Sequence, residues 1–232
     1  MKLKPYTLIL FSALCLQCLS TDESYASEDK RELVTDIFNT SKSLETAKHE
    51  GADTHHCTAI MISPKVGLTA AHCKDGGFEQ NKSLGTIYPG SSGLSTNAGN
   101  MTISTFNPYD GADIALIKGE NPSTAYTHYM RNVDIDVKGF NLSDLEGKKV
   151  YSIGYPIDKG GRKQYKTEGV ITSTYNNQSM MTTLQSTGGQ SGSGVFLKEN
   201  DQLIGIISQG NLNGTIVQPI NRRISDWISI KK

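Results

Sequence analysis

After residue 50, the sequence is built of short apolar runs in which hydrophobic and polar residues alternate with a period of two. Such alternation is typical of half-buried strands, and the Gly, Asn, Ser and Pro residues between the runs favour turns. Many short strands at this spacing predict an all-β barrel or sandwich. The predicted strands are Thr58–Ile62, Gly67–Ala70, Met101–Phe106, Asp113–Ile117, Lys149–Ile153, Glu168–Tyr175, Met180–Leu184, Gly194–Leu197, Leu203–Ser208 and Thr215–Pro219.

The C-terminal segment Asn221–Ile230 is predicted to be an α-helix, because Ile224, Trp227 and Ile228 fall on one face. Polar residues 198–201 between two of the strands predict a hairpin turn.

The first 26 residues have the organisation of a signal peptide. Two lysines precede an apolar stretch, Thr7–Leu19, that is too short to span a bilayer, and small residues stand at Ser24 and Ala26. Cleavage is predicted after Ala26, which gives an extracellular protein with no membrane segment. The alternatives are an uncleaved anchor and lipidation at Cys15 or Cys18.

Residues 27–50 are polar and charged, with only weak helical spacing through Leu33, Ile37 and Leu44. They are predicted to be a short propeptide or an N-terminal arm in front of a domain over residues 51–232. A chain of 232 residues fits one domain, or one fold of two similar halves. The formal net charge is zero and no basic stripe is visible, so a nucleic-acid partner is not expected.

Signal-peptide cleavage would leave two cysteines, Cys57 and Cys73. In the oxidising surroundings of an exported protein, such a pair indicates a disulfide. Free thiols or metal ligands are the alternative, but two cysteines without a C-x-x-C spacing make a poor metal site. The adjacent His55 and His56 do not improve it, because neighbouring side chains on a strand point to opposite faces. No metal site is expected.

A serine in a glycine-rich turn is the strongest local motif, Thr-Gly-Gly-Gln-Ser-Gly-Ser-Gly over residues 187–194. A nucleophilic serine needs an exposed hydroxyl at a tight turn and nearby backbone N–H groups aimed at a developing oxyanion. Ser191 fits the nucleophile, and the N–H groups of Gly189 and Ser191 fit the donors. A flexible glycine-serine loop is the alternative interpretation.

A histidine follows an apolar strand and directly precedes a predicted half-cystine, in Leu-Thr-Ala-Ala-His-Cys over residues 68–73. A general base has to be held in position, and a disulfide at Cys73 would hold the loop that carries His72. A purely structural histidine is the alternative.

An aspartate heads the apolar run Ile-Ala-Leu-Ile over residues 114–117. A carboxylate at the mouth of a buried strand needs hydrogen-bond donors, and a neutral histidine would supply one while its tautomer is fixed. Asp113 is therefore predicted to orient His72. Asp110 is the rival, but its Asn-Pro-Tyr-Asp-Gly context is explained by turn formation.

The order His72, Asp113, Ser191 differs from the Asp, His, Ser order of subtilisins and the Ser, Asp, His order of α/β-hydrolases. The sequence resembles the trypsin/chymotrypsin-like serine peptidase superfamily at residues 69–73 and 113–117. Its C-terminal half is similar to the bacterial glutamyl endopeptidase branch, which includes staphylococcal secreted serine proteases and exfoliative toxins. The matching segments are 153–156, 186–193 and 203–206, within a resemblance over roughly residues 55–230.

The resemblance implies two packed six-stranded antiparallel β-barrels with a C-terminal α-helix, joined near residues 120–145. It implies a secreted endopeptidase that hydrolyses peptide bonds through a Ser-His-Asp triad and an acyl-enzyme intermediate, without a cofactor. The expected partner is a protein or peptide substrate, and a monomer is expected. The family also suggests activation by a freed N-terminus, either by trimming within 27–50 or at Ser27 itself.

The resemblance places the base of the specificity pocket at Gln185, followed by Ser186, with Ser208 and Gly210 on the segment that pairs with substrate. Gln185 is uncharged, so a preference for Arg or Lys is not expected. Ile207 stands where glutamyl endopeptidases have a histidine, which argues against a strict preference for glutamate.

Two further interpretations follow from the same resemblance. A catalytically silent or very narrow-specificity homologue, acting as a toxin or binding protein, is the main alternative, although the intact triad and Gly189 argue against silence. A quality-control protease of the HtrA type is not expected, because it would carry a peptide-binding domain downstream of the predicted helix.

Overall fold

The computed structural model of the chain describes residues 27–93 and 98–232, so the predicted signal peptide lies outside the described residues. All strand pairs are antiparallel. The strands are β1 (Glu32–Leu33), β2 (Thr46–Gly51), β3 (His56–Met61), β4 (Val66–Thr69), β5 (Glu79–Gln80), β6 (Gly85–Pro89), β7 (Met101–Pro108), β8 (Ala115–Glu120), β9 (Lys149–Gly154), β10 (Tyr165–Tyr175), β11 (Ser179–Thr182), β12 (Gly194–Leu197), β13 (Leu203–Asn211) and β14 (Gly214–Pro219).

The strands form two closed barrels, as predicted. In the first seven-stranded sheet, β5 is attached only to β7, and the other six strands close in the order β2, β3, β4, β8, β7, β6. In the second, β1 is attached only to β10, and the other six close in the order β9, β10, β11, β14, β13, β12. The N-terminal segment thus contributes a short strand to the outside of the second barrel.

Three apolar clusters account for the packing. One lies inside the first barrel and includes Met61 and Phe106. A second lies inside the other barrel and includes Val195 and Ile204. The third joins residues of both barrels with the C-terminal helix, so a continuous apolar interface fixes the cleft between the barrels.

The described residues also contain two α-helices, which are α1 (Thr124–Met130) and α2 (Arg222–Lys231). Asn221 caps α2 by accepting the Ile224 N–H at 3.0 Å, and Ile224 and Ile228 are buried. Trp227 packs edge-on against Tyr109 at a centroid distance of 5.2 Å. The predicted C-terminal helix is confirmed, and it supports the loop that leads into Asp113.

Residues 27–50, predicted to be a propeptide or an arm with only weak helical spacing, are all described. They contain β1 and most of β2, connected by turns, and no helix. β2 is a full member of the first barrel, so the barrel begins at Thr46 rather than after residue 50. Its polar residues Lys48, His49 and Glu50 hid this strand from a search for apolar alternation. β6 and α1 were also missed, whereas the turn at 198–201 does connect β12 and β13.

Candidate active site

His72 is carried by a single 3₁₀ turn, Ala71–Cys73, directly after β4. The predicted disulfide is confirmed, and it links Cys73 in this turn to Cys57 on β3. The His72 side chain is half exposed, at 50%. The backbone under the imidazole is therefore covalently tied to the barrel, while the ring itself opens onto the cleft.

Asp113 holds His72 through two hydrogen bonds. Its Oδ1 accepts the backbone N–H of His72 at 3.0 Å, and its Oδ2 lies 2.8 Å from His72 Nδ1. The backbone N–H of Asp113 donates to Gln218 Oε1 at 3.2 Å, which ties the loop to the second barrel. With its Nδ1–H directed at the carboxylate, the neutral imidazole keeps Nε2 as its basic atom.

Ser208 supplies a further donor to the same carboxylate, with its Oγ 2.5 Å from Asp113 Oδ2. The register of the β13–β14 pair shifts between Ile207 and Gln209, so Ser208 lies at a bulge. A bulge redirects a side chain locally. Ser208 was predicted only as part of the substrate-pairing edge, and its contact with Asp113 adds a second role.

The contact between His72 and Asp113 shifts the pKa of both side chains. The hydrogen bond to Asp113 raises the pKa of His72 above its usual value, against the opposing effect of burial. Burial alone would raise the pKa of Asp113, but the hydrogen bonds from His72 and Ser208 lower it below its usual range. Asp113 is therefore ionised at neutral pH and favours a proton on His72.

Ser191 lies in a turn that only glycine neighbours allow. Gly189 and Gly192 have φ values of +90° and +83°. A Cβ on Gly189 would lie 2.4 Å from Tyr155 O, and one on Gly192 would lie 2.2 Å from Thr58 O. The serine hydroxyl lies in the same cleft as His72 and donates to Ser208 O at 3.4 Å. Within the described residues it makes no hydrogen bond to His72 in this conformation.

The backbone around Ser191 leaves two amide groups free. The hydrogen bonds of the described residues give neither Gly189 N–H nor Ser191 N–H a partner. The carbonyls on the other side of those two peptide groups are occupied, because Gly188 O accepts Ile157 N–H at 2.8 Å and Gln190 O accepts Ser193 N–H at 3.0 Å. This orientation is suitable for binding an oxyanion.

A Thr58 hydroxyl anchors the turn from the first barrel. Thr58 Oγ1 donates to Gly189 O at 2.7 Å and accepts Tyr155 N–H at 3.1 Å. The Thr58 N–H also donates to Ser191 O at 2.9 Å. Sequence reasoning missed Thr58, because it follows Cys57 in an ordinary apolar strand.

The cleft beside the triad has a volume of about 470 Å³. It is lined by His72, Asp113, Ser186, Thr187, Gly188, Ser191, Ile207, Ser208, Gln209 and Gly210. Of these described residues, only the His72–Asp113 pair carries ionisable groups. The Ser186 hydroxyl lies 2.8 Å from Thr215 Oγ1, and a Cβ on Gly210 would come within 2.3 Å of Ser186 Oγ. The missing side chain of Gly210 thus keeps this wall open.

Gln185, the predicted base of the specificity pocket, is not among the residues that line the cleft. Its amide nitrogen donates to Glu28 O and to Leu212 O, each at 2.7 Å, and its Oε1 accepts Lys30 N–H at 2.6 Å. The side chain is buried against the N-terminal arm. Counting from Ser191 located the residue, but the direction of its side chain depends on an arm distant in sequence.

The remaining ionisable candidates stay outside the cleft. Asp110 is exposed and does not line it.

Among the described residues, one group of three side chains could offer ligand atoms to a metal ion. It consists of Cys57, His72 and Cys73, and its two sulfur atoms are bonded to each other. No helix in the described part of the chain is long and apolar enough to cross a membrane.

Comparison with known proteins gives a family. The Trypsin family model matches residues 38–228. The glutamyl endopeptidase of Bacillus licheniformis is 30% identical over 190 residues, which are 75% of this chain and 55% of that protein. The match therefore spans about half the length of this curated relative.

Solved structures agree on the fold. A Glu endopeptidase, solved in complex with MPD, superimposes with a TM-score of 0.72 at 21% identity, over 88% of this chain and 97% of that one. Human heparin binding protein gives a TM-score of 0.64 at 14% identity, over 86% and 94%. The fold is that of the chymotrypsin-like serine peptidases, and the chain belongs to the trypsin family.

Proposed function

We propose that the chain is an exported serine endopeptidase with Ser191 as nucleophile, His72 as general base and Asp113 as the residue that orients it. The observation that carries the proposal is the double hold of Asp113 on His72, through ring and backbone, in a cleft that also contains Ser191. A histidine with a purely structural role would not need an ionised partner and a half-exposed ring in the same cleft as a serine.

The reaction follows from these positions. Ser191 Oγ attacks the scissile carbonyl carbon while His72 Nε2 takes its proton, and Asp113 stabilises the imidazolium. The oxyanion accepts hydrogen bonds from Gly189 N–H and Ser191 N–H. His72 then protonates the leaving amine, and water activated by the same nitrogen hydrolyses the acyl-enzyme. The Ser191 hydroxyl has to rotate away from Ser208 O before this attack.

The residues that line the cleft favour a substrate with an uncharged side chain at the cleaved bond. Ile207 is buried and apolar, while Ser186 offers only a hydroxyl that is already paired with Thr215. An unpaired charge in such a pocket would be costly. We expect neither a preference for Arg or Lys nor a strict preference for Glu.

Export of the protein, as a monomer, is part of the proposal. Export is supported by the predicted signal peptide and by a disulfide that suits an oxidising compartment. The packing of residues 27–50 favours a retained arm over an excised propeptide, since excision of the whole segment would remove β2 from a closed barrel.

A peptide library tests activity and specificity together. Protein beginning at Ser27 should cleave it, the Ser191→Ala variant should not, and the matched control Ser83→Ala should cleave like wild type, because Ser83 is exposed and outside the cleft. Strong selection for Glu would overturn the interpretation of Ile207. Cleavage confined to Arg or Lys would overturn the uncharged pocket.

A further inference from the structure

Arg31, in the N-terminal arm, places a buried guanidinium next to the turn that precedes Ser191. Its side chain has 0% exposure. The guanidinium binds Asp29 through Nε and Nη2, each at 2.9 Å, and Asp158 through Nη1 at 3.0 Å and Nη2 at 2.5 Å. Two carboxylates thus hold it bidentately from two sides.

The same guanidinium also reaches the turn itself. Nη1 donates to Thr187 Oγ1 at 2.7 Å and to Gln190 Oε1 at 3.2 Å. Gln190 Oε1 in turn accepts Thr187 N–H at 3.0 Å, and Thr187 O accepts Gln190 N–H at 3.1 Å. Thr187 and Gln190 are therefore hydrogen-bonded to each other and both to the Arg31 guanidinium.

Burial of the Arg31 guanidinium is not explained by stability. Its own desolvation is costly, and its carboxylate partners Asp29 and Asp158 keep 24% and 45% exposure, so these ion pairs are weak evidence for stabilisation. What the cluster does provide is fixed geometry, because a planar guanidinium with several donors sets the relative positions of its partners. Here those partners lie on three separate segments: the arm, the loop at Asp158 and the turn before Ser191.

The loop at Asp158 directly orients a peptide group of the proposed oxyanion site. Asp158 follows Ile157, whose N–H holds Gly188 O at 2.8 Å and so directs Gly189 N–H the other way. Both residues of that peptide group are glycines, which resist rotation less than any other residue. By binding Asp158 and Thr187, Arg31 holds both the segment that binds Gly188 O and the residue that precedes Gly188.

We infer that Arg31 is a positioning residue that holds the Gly188–Gly189 peptide in the orientation needed for the oxyanion site. The inference rests on the proposed function for its catalytic consequence. It also gives the arm a purpose, because β1 and the contacts of Gln185 with Glu28 and Lys30 dock the segment that delivers Arg31. The positive charge that orders the oxyanion site is then the Arg31 side chain, which does not depend on trimming of the arm, rather than a freed N-terminal amine.

The test compares Arg31→Ala and Arg31→Lys with Lys30→Ala, a matched control that removes an exposed side chain and keeps the backbone N–H that donates to Gln185. We expect Arg31→Ala to lower kcat per titrated active site by roughly 100-fold, the effect of losing an oxyanion donor, with KM changed far less. Arg31→Lys should be intermediate, because an ammonium cannot bind both carboxylates bidentately. The acid limb of the pH profile should stay in place, since His72 and Asp113 are untouched.

Guanidinium chloride at non-denaturing concentrations should restore part of the Arg31→Ala rate, while KCl at equal ionic strength should not. A merely structural role predicts fewer active molecules but an unchanged kcat per titrated site, and that result would overturn the inference. So would wild-type behaviour of Arg31→Ala.

Amide hydrogen exchange provides a readout that does not require activity. In folded Arg31→Ala and Arg31→Lys, the Ile157 amide should lose protection while the core strands keep theirs, and unchanged protection in both would also overturn the inference. If wild-type protein itself fails to react with a serine-directed probe, the proposed function fails, and the exchange measurement still decides the positioning role.

Discussion

Replacement of Thr58 by valine tests how the first barrel holds the nucleophile turn. Valine keeps the shape of threonine, so no cavity forms, but it removes the hydroxyl that donates to Gly189 O and accepts Tyr155 N–H. Both groups would be left buried without partners. Each such group costs about 1–3 kcal/mol, so the free energy of unfolding should fall by about 2–6 kcal/mol.

Thr58→Ser is the matched control, because it keeps the hydroxyl and removes one buried methyl group, at a cost of about 1 kcal/mol. Urea unfolding of both variants should be measured in a Ser191→Ala background, where self-digestion is absent. The valine variant should have the lower midpoint at an unchanged slope. Equal midpoints, or a lower one for serine, would refute the anchoring role of this hydroxyl.

Three further predictions concern the cleft. Because Asp113 raises the pKa of His72 and the base must be neutral, activity should fall on acidification with a midpoint above the usual histidine value of about 6.5, measured as kcat/KM against pH. Asp113→Asn should lower kcat by about 10⁴-fold at neutral pH, because the favoured tautomer is lost; a loss below tenfold would contradict this. Gly210→Val should raise KM or abolish cleavage of substrates with large side chains, because its Cβ would press on Ser186, whereas Gly77→Val, with no atom near the added Cβ, should change neither parameter.

The sequence predicted the parts of the site that depend on local chemistry. Glycines around Ser191, a half-cystine beside His72 and an aspartate heading an apolar strand each have a short-range cause, and the structure brings all three side chains into one cleft. Alternation predicted the strands and an all-β barrel or sandwich, because one buried face requires it, whereas the two barrels were implied by the family resemblance.

The parts that could not be predicted depend on contacts between distant segments. Arg31 lies 156 residues before Thr187, and nothing in its polar surroundings indicates burial. Gln185 was located by counting, yet its amide turns toward the arm because the arm offers backbone partners there. β2 was missed because its place in the barrel is set by the neighbouring strands, although it carries charged residues.

Reaction of Ser191 with a fluorophosphonate tests the central claim most directly. Protein beginning at Ser27 should be labelled once, with mass spectrometry locating the adduct on Ser191, and Ser191→Ala should not be labelled under the same conditions. Labelling should slow on acidification as His72 becomes protonated. Absence of labelling in folded wild-type protein, or an adduct on another serine, would contradict the account.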